Sequence, residues 1–208
     1  MIYKMRLKTH QMRLSGVGTL REGIMKIAYI DTETTGLRAG WHEMIELAII
    51  IEIDGNIIEQ YHWRLKPNNM HRADEIALKI NGYSHAKWRD AIDFVSIAHQ
   101  VKDILTGCIV IGHNPIFDID FLNESFFVAG VPGIKPKLID TRVLMFEHLQ
   151  WLNSTSLDTA RKFFGWPTDG AHTAMIDTQQ TRNLYHKLCR CTVIHRVVWY
   201  CMYILRHS

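Results

Sequence analysis

Residues 26–36 read KIAYIDTETTG and combine a strand pattern with two carboxylates. The apolar run at 27–30 is typical of a short buried strand. Side chains two positions apart on a strand point to the same face, so we expect Asp31 and Glu33 to lie close together. Two bare carboxylates at that spacing repel each other, and a divalent cation such as Mg²⁺ or Mn²⁺ removes this cost. The stretch therefore predicts a metal site, with solvated acids at a strand end as the alternative.

The segments downstream of this strand predict a mixed α/β sheet. Runs at 45–53 and 57–65 are strand-like and are joined by a turn signal at 54–56, so they should be antiparallel neighbours. Two more short strands are expected, at 108–112 and 138–140. Helical patterns cover 73–81, 90–105, 117–128, 141–150, 156–164 and 174–189. Alternation of this kind indicates an α/β fold with helices packed on one sheet.

A second group of polar residues follows a predicted strand directly, in the stretch HNPIFDIDFL at 113–122. The carboxyl ends of strands are where α/β folds place their sites. Asp118 and Asp120 both fall near the start of a predicted helix. Residues two apart on a helix do not share a face, so only one of these acids should enter a site.

A third group is HTAMID at 172–177, at the start of the last long helix. Asp177 lies on that helix, and His172 precedes it after a loop that contains a glycine. A histidine with an ordinary pKa of ~6.5 can accept a proton at neutral pH. The alternative is a surface residue, because the chain contains twelve histidines.

Together, the three groups resemble the DEDD 3′–5′ exonucleases, the DnaQ-like family. The resemblance is carried by D-x-E at 31–33, by H-N followed by F-D at 113–118, and by H-x-x-x-x-D at 172–177. Histidine five residues before the last aspartate is the mark of the DEDDh subgroup. The resemblance implies an RNase H-like fold, in which helices cover both faces of a mixed five-stranded sheet. It divides the chain into an N-terminal extension at 1–25, an exonuclease domain at 26–190 and a basic, apolar C-terminal tail at 191–208.

The resemblance also implies roles for individual residues. Asp31, Glu33 and Asp177 would hold one divalent metal ion, and Asp31 with Asp118 would hold a second. His172 would deprotonate the attacking water, and nucleoside 5′-monophosphates would leave from a 3′ end. Because the family carboxylate follows the phenylalanine, Asp118 is selected over Asp120. Thr34, Gly36 and Leu37 match positions that contact the terminal nucleotide in the family. Further candidates, for shaping the pocket around that nucleotide, are His113, Asn114 and Phe117.

Charge is unevenly distributed along the 208 residues, whose net charge is +3. Residues 1–25 carry five basic side chains and one acid, and 186–208 carry four basic side chains and no acid, which leaves −5 for 26–185. A basic end can attract a polyanion, although such ends are commonly only solvated. Within the acidic body, the candidates for gripping a nucleic-acid strand are Lys135, Lys137 and Arg142.

Four cysteines do not make a disulfide framework in a chain of this length, which favours a reducing, cytoplasmic location. The N-terminus lacks the apolar core of a signal peptide, and no apolar run is long enough to span a bilayer. Nine consecutive apolar residues at 197–205 predict a final helix or strand on the core, with a docking segment for a partner or a membrane surface as the alternative.

The preferred substrate is the 3′ end of DNA, single-stranded or frayed, in proofreading or end trimming. The alternatives are a 3′–5′ exoribonuclease and a non-catalytic nucleic-acid-binding module of the same fold. Because no polymerase domain fits in 208 residues, proofreading would require a polymerase or another replication or repair protein as partner.

Overall fold

The computed structural model describes residues 25–190 and 193–207. Its centre is one five-stranded sheet with the strand order β3-β2-β1-β4-β5. This confirms the predicted α/β class and the mixed sheet. The strands are β1 (Lys26–Thr34), β2 (Met44–Ile53), β3 (Asn56–Arg64), β4 (Ile109–Gly112) and β5 (Lys137–Asp140).

The sheet has an antiparallel half and a parallel half. β2 pairs antiparallel with both β1 and β3. The turn between β2 and β3 places Asp54 and Gly55 at positive φ (50° and 81°), as a type I′ hairpin turn requires. β1, β4 and β5 run parallel, with Tyr29 beside Ile111 and Ile111 beside Ile139. The carboxyl ends of these three strands therefore meet at one edge of the sheet.

Seven helices surround the sheet in the described residues, and most match the predicted segments closely. The exception is the helix predicted over 90–105, which is wrong in its first half. There, the backbone of Ile92 hydrogen-bonds on both sides of Leu65, to Arg64 and Lys66, so the chain runs beside the end of β3 before a short 3₁₀ turn. The helices are α1 (Glu75–Ile80), α2 (Ala98–Leu105), α3 (Pro115–Val128), α4 (Thr141–His148), α5 (Leu157–Phe164), α6 (Ala174–Cys189) and α7 (Val193–His207).

Helices cover both faces of the sheet because β1 and β2 are apolar on both sides. On one face, Ile30 and Leu47 pack in a large core with Phe121 of α3 and with α2. On the other face, Tyr29 belongs to a smaller core that includes Tyr185 of α6. Alternate residues of β1 therefore face α3 and α6. The polar residues at the end of the strand alternate between these two faces in the same way.

The apolar stretch near the C-terminus forms α7, which packs on α5. The ring of Trp199 lies 5.4 Å from that of Phe164, and Tyr200 lies 5.3 Å from Trp151, between ring centroids. Of the two predicted forms, helix or strand, the structure has the helix. None of the described helices is both long and apolar enough to cross a membrane. Most of the predicted extension at 1–25 lies outside the described residues.

Candidate active site

Three of the predicted carboxylates come together where β1 meets α6. Asp31 and Glu33 project from one face of β1, and Asp177 lies in the first turn of α6, which packs on that face. One oxygen from each of these side chains lies within 4.8 Å of the others. The alternation of the strand and the start of one helix thus produce a compact group of oxygen donors.

Asp118 reaches the same edge of the sheet from the opposite face. It lies in the first turn of α3, is 4% exposed, and accepts a hydrogen bond of 2.8 Å from the hydroxyl of Thr32. Thr32 is the residue between the two β1 carboxylates, so its side chain points toward α3. Asp120 is exposed. Asp118 is therefore the acid of this helix that turns inward, although it lies outside the compact group of three.

Burial and mutual repulsion make these carboxylates hard to ionise. Burial is the largest cause that raises the pKa of Asp31 well above its usual range, and the charges of Asp118 and Asp177 add to it. Burial and Asp177 raise the pKa of Glu33 to about 8, and burial raises that of Asp118 to about 7. Without a cation, ionisation of these carboxyl groups is therefore unfavourable. Several oxygen donors with excess negative charge fit a hard divalent cation, so the residues present suit a metal ion.

A buried arginine supports Asp177, and sequence reasoning missed it. Arg161 of α5 is 1% exposed, and its guanidinium donates hydrogen bonds to Asp177, Asp158 and Gln180. Burial raises the pKa of Asp177, whereas the charge of Arg161 acts in the opposite direction. The only signal in the sequence is the position of Arg161 on the apolar side of α5, next to Ala160.

A buried glutamate lies beside the cluster and was also missed. Glu46 is 1% exposed and pairs across the sheet with Glu33. Its carboxylate accepts hydrogen bonds from the backbone N–H of Ala174, at the start of α6, and from Nε2 of His62 at 2.6 Å. The signal was an acid inside a largely apolar strand. Glu46 fixes α6 to β2 and so helps to position Asp177.

His172 lies beside the cluster and is open to solvent. Its φ is +62°, and its backbone N–H donates a 3.3 Å hydrogen bond to Oδ1 of Asp177. The side chain is 42% exposed, and its Nε2 lies 3.9 Å from Oδ2 of Asp158. The imidazole is thus accessible to water and faces a carboxylate.

The loop that follows β1 is shaped by Thr34 and Gly36. The hydroxyl of Thr34 donates a 2.6 Å hydrogen bond to the carbonyl of Gly36. A Cβ atom at Gly36 would lie 2.4 Å from the ring of His42, so any larger residue here would have to displace that ring. Leu37 is 82% exposed at the tip of this loop. Of these three candidates, Leu37 alone presents its side chain to solvent.

His113, Asn114 and Phe117 order the turn between β4 and α3. Nδ1 of His113 lies 2.9 Å from the hydroxyl of Thr141, and burial lowers the pKa of this imidazole to about 4. The backbone N–H of Asn114, at a φ of +82°, donates to Asp140. Phe117 is partly buried in the large core. The contacts of these residues are those of a structured turn leading to Asp118.

Lys135 and Lys137 do not approach the carboxylates, so their assignment as strand-gripping residues is wrong. Lys137 begins β5 and is paired with Ile109 at the start of β4, at the opposite edge of the sheet from the site. Parallel pairing requires this placement, because β5 begins where β1 begins. Arg142 follows Asp140 at the carboxyl edge and remains a candidate.

Comparison with known proteins shows which family the chain belongs to. The exonuclease family matches residues 28–185. The chain belongs to this family. The predicted resemblance to DEDD-type 3′–5′ exonucleases is thereby confirmed.

Curated relatives of this chain include the PolC-type DNA polymerase III of Pediococcus pentosaceus, 28% identical over 159 residues. That of Listeria innocua is 29% identical over 160 residues. The matched parts are 76% and 77% of this chain but 11% of each relative. The chain thus spans about a tenth of the length of the curated relatives it matches.

Solved structures similar to this chain include exonuclease I, with a TM-score of 0.72 and 18% identity. The match covers 86% of this chain and 43% of that one. Escherichia coli exonuclease I in complex with a dT13 oligonucleotide has a TM-score of 0.69, at 18% identity, over 77% of this chain and 40% of the other. The likeness confirms the RNase H-like fold.

Proposed function

We propose that the protein is a metal-dependent 3′–5′ exonuclease that removes nucleoside 5′-monophosphates from the 3′ end of DNA. The observation that carries this proposal is the group of Asp31, Glu33 and Asp177, with donor oxygens within 4.8 Å, in a chain of the exonuclease family. DNA is favoured because the relatives are DNA polymerases and a neighbouring structure contains a DNA oligonucleotide.

Two divalent ions, Mg²⁺ or Mn²⁺, fit the donor set. Asp31, Glu33 and Asp177 would hold one, and Asp31 with Asp118 would hold the other. When bound, such ions stabilise the charge that develops on the phosphoryl oxygens during an in-line displacement. The raised pKa values of Asp31 and Glu33 support this, because ionising the cluster needs a compensating positive charge.

His172 would accept the proton of the attacking water at Nε2. This atom belongs to an exposed imidazole and lies 3.9 Å from Oδ2 of Asp158. Arg161 would position Asp177 by its hydrogen bond to the Asp177 carboxylate. Glu46 would do so indirectly, by its hydrogen bond to the backbone at the start of α6. Thr34 and Gly36 shape the loop that would present Leu37 to the terminal nucleotide. His113, Asn114 and Phe117 would hold the opposite side of this pocket in place through the turn before α3.

The preferred substrate is a single-stranded or frayed 3′ end. A polymerase or another replication or repair protein is the proposed partner, supported by the polymerases among the relatives. The domain limits of 26–190 and the cytoplasmic location belong to the same proposal.

A degradation assay with 5′-labelled strands tests the proposal. The protein and its Asp31→Ala variant are incubated with single-stranded DNA and with RNA of the same sequence, in Mg²⁺ or Mn²⁺. We expect a ladder that shortens from the 3′ end of DNA, disappears in chelator and is absent with the variant. Faster shortening of RNA would overturn the choice of DNA. A folded protein that binds Mn²⁺ but shortens neither strand, even with a polymerase partner, would overturn the exonuclease proposal.

A further inference from the structure

We propose that Arg38, Trp41 and Arg72 form a phosphate-binding clamp for the nucleic-acid strand whose 3′ end occupies the carboxylate site. This inference rests on the proposed function and extends it to the backbone of the substrate. The guanidinium carbon of Arg38 lies 5.0 Å from the centroid of the Trp41 ring, and that of Arg72 lies 4.7 Å from the same ring. One exposed indole thus holds two cations together.

The clamp lies at the same edge of the sheet as the carboxylates. Arg38 and Trp41 belong to the loop between β1 and β2, which begins directly after Glu33 and Thr34. Because Arg38 follows Glu33 by five residues, their Cα atoms are at most about 18 Å apart. That is the length of about five stacked nucleotides at roughly 3.4 Å each. A strand with its 3′ end at the carboxylates can therefore reach the clamp within a few nucleotides.

Two loops are fixed to each other to build the clamp. The carboxylate of Glu43 accepts hydrogen bonds from the backbone N–H groups of Asn68 and Asn69, at 3.0 and 2.6 Å. The N–H of Asp74 donates to the carbonyl of Thr35 at 2.7 Å. These contacts join the loop that carries Arg72 to the loop that follows β1. The two arginines are thus held on a rigid frame before any ligand binds.

Within the described residues, the positive charge of the clamp is not compensated by a neighbouring carboxylate, which favours binding of an anion. Two guanidinium groups on one ring repel each other, and within residues 25–190 and 193–207 neither forms an ion pair with a carboxylate. Nε of Arg72 is buried and has no hydrogen-bond partner among those residues. Guanidinium groups form strong, often bidentate hydrogen bonds to phosphate. In a body with a net charge of −5, such a pair offers the strand a local positive contact close to the site.

Two substrates of different length separate the clamp from the chemistry. One is a single-stranded DNA oligonucleotide, and the other is the p-nitrophenyl ester of thymidine 5′-monophosphate, which has no backbone beyond the scissile phosphate. We expect the Arg38→Gln/Arg72→Gln variant to raise KM for the oligonucleotide about tenfold, because charge-assisted hydrogen bonds to phosphate are lost. Hydrolysis of the small ester should not change.

A matched control removes the same charge elsewhere. The Lys135→Gln/Lys137→Gln variant loses two exposed cations from the opposite edge of the sheet, and its KM should stay at the wild-type value. Trp41→Leu should raise KM for the oligonucleotide by part of the increase seen in the double arginine variant. Trp41→Phe keeps a ring face for the arginines, so it should raise KM less than Trp41→Leu does. Circular dichroism melts verify that each variant is folded.

The salt dependence of binding gives a second, non-kinetic readout. With the Asp31→Asn variant as background, we expect the slope of log Kobs against log salt for the oligonucleotide to become shallower by about 0.7 for each lost phosphate contact. An unchanged slope and an unchanged KM in the folded arginine variant would overturn the clamp. Wild-type protein that hydrolyses neither substrate would instead overturn the proposed function, so the two failures are distinguishable.

Discussion

The guanidinium of Arg161 donates a hydrogen bond to Oδ1 of Asp177 between α5 and α6. The same oxygen accepts a bond from the backbone N–H of His172. Asp177 is therefore oriented from two sides before any metal ion binds, and Arg161 is the only cation that reaches its carboxylate within the part of the chain that the structure describes. In a group of buried acids, this arginine partly replaces the positive charge that a metal would bring.

Replacing Arg161 by methionine should destabilise the metal-free protein. The change leaves Asp177 buried without its counter-charge, and breaking a buried ion pair costs about 3–5 kcal/mol. We expect the free energy of unfolding in urea to fall by about 3 kcal/mol, with part of the loss restored by saturating Mn²⁺. An Arg161→Lys variant keeps the charge and should lose less. Unfolding curves of the methionine variant that match the wild type would show that Arg161 does not support this site.

The raised carboxyl pKa values predict that the metal-free protein loses stability as the pH rises. A group whose pKa is higher in the folded state stabilises the fold while it is protonated, and this contribution is lost as pH rises through the folded pKa. The pKa of Glu33 rises from 4.5 to about 8, and that of Asp118 to about 7. We expect the melting temperature in chelator to fall between about pH 5 and pH 8.

Two variants and one metal separate this effect from general acid or base denaturation. Glu33→Gln removes one of the titrating groups and should flatten the pH dependence. Glu59→Gln changes an exposed glutamate on β3 and should leave the pH dependence of the melting temperature unchanged. Saturating Mn²⁺ should increase the melting temperature more at pH 8 than at pH 5, because binding requires the ionised carboxylates. A melting temperature that rises with pH in chelator would contradict the raised pKa values of the carboxyl groups in the cluster.

The sequence predicted those parts of the site that depend on local geometry. The alternation of β1 placed Asp31 and Glu33 on one face, and helix periodicity separated Asp118 from Asp120. Both inferences need only the repeat of one element. The start of α6 followed from its pattern in the same way, and it places Asp177 in the first turn.

The parts that were missed depend on contacts between distant segments. Glu46 and Ala174 are 128 residues apart, and nothing near either of them indicates that one carboxylate joins β2 to α6. Arg161 is buried because three acceptors from α5 and α6 surround it, which a helical pattern does not reveal. The predicted helix at 90–105 was wrong for a similar reason, since Ile92 hydrogen-bonds beside Leu65.

Asp31→Asn should separate activity from stability. Burial and the neighbouring acids make Asp31 costly to ionise, so a neutral amide in place of its carboxyl group removes that cost. We expect the metal-free variant to melt at or above the wild-type temperature at pH 8. Its activity should fall by more than about 100-fold, since even residues that only support a metal ligand cost 10–100-fold when changed. An Asp31→Asn variant that melts lower and keeps its activity would contradict both the repulsion within the cluster and the role of Asp31 as a metal ligand. Asp120→Asn, on the exposed side of α3, is the matched control and should change neither property.

His172→Ala should reduce turnover and leave metal binding intact. Its exposed imidazole faces Asp158 and is not one of the three side chains in the compact donor group, so it is expected to move a proton and not to hold a cation. General-base catalysis contributes about 10²–10⁴-fold, which sets the expected loss in kcat. The increase in melting temperature with Mn²⁺ should equal that of the wild type. If His172→Ala abolishes the Mn²⁺ effect as completely as Asp31→Ala does, His172 is a ligand and the proton must leave the attacking water by another route.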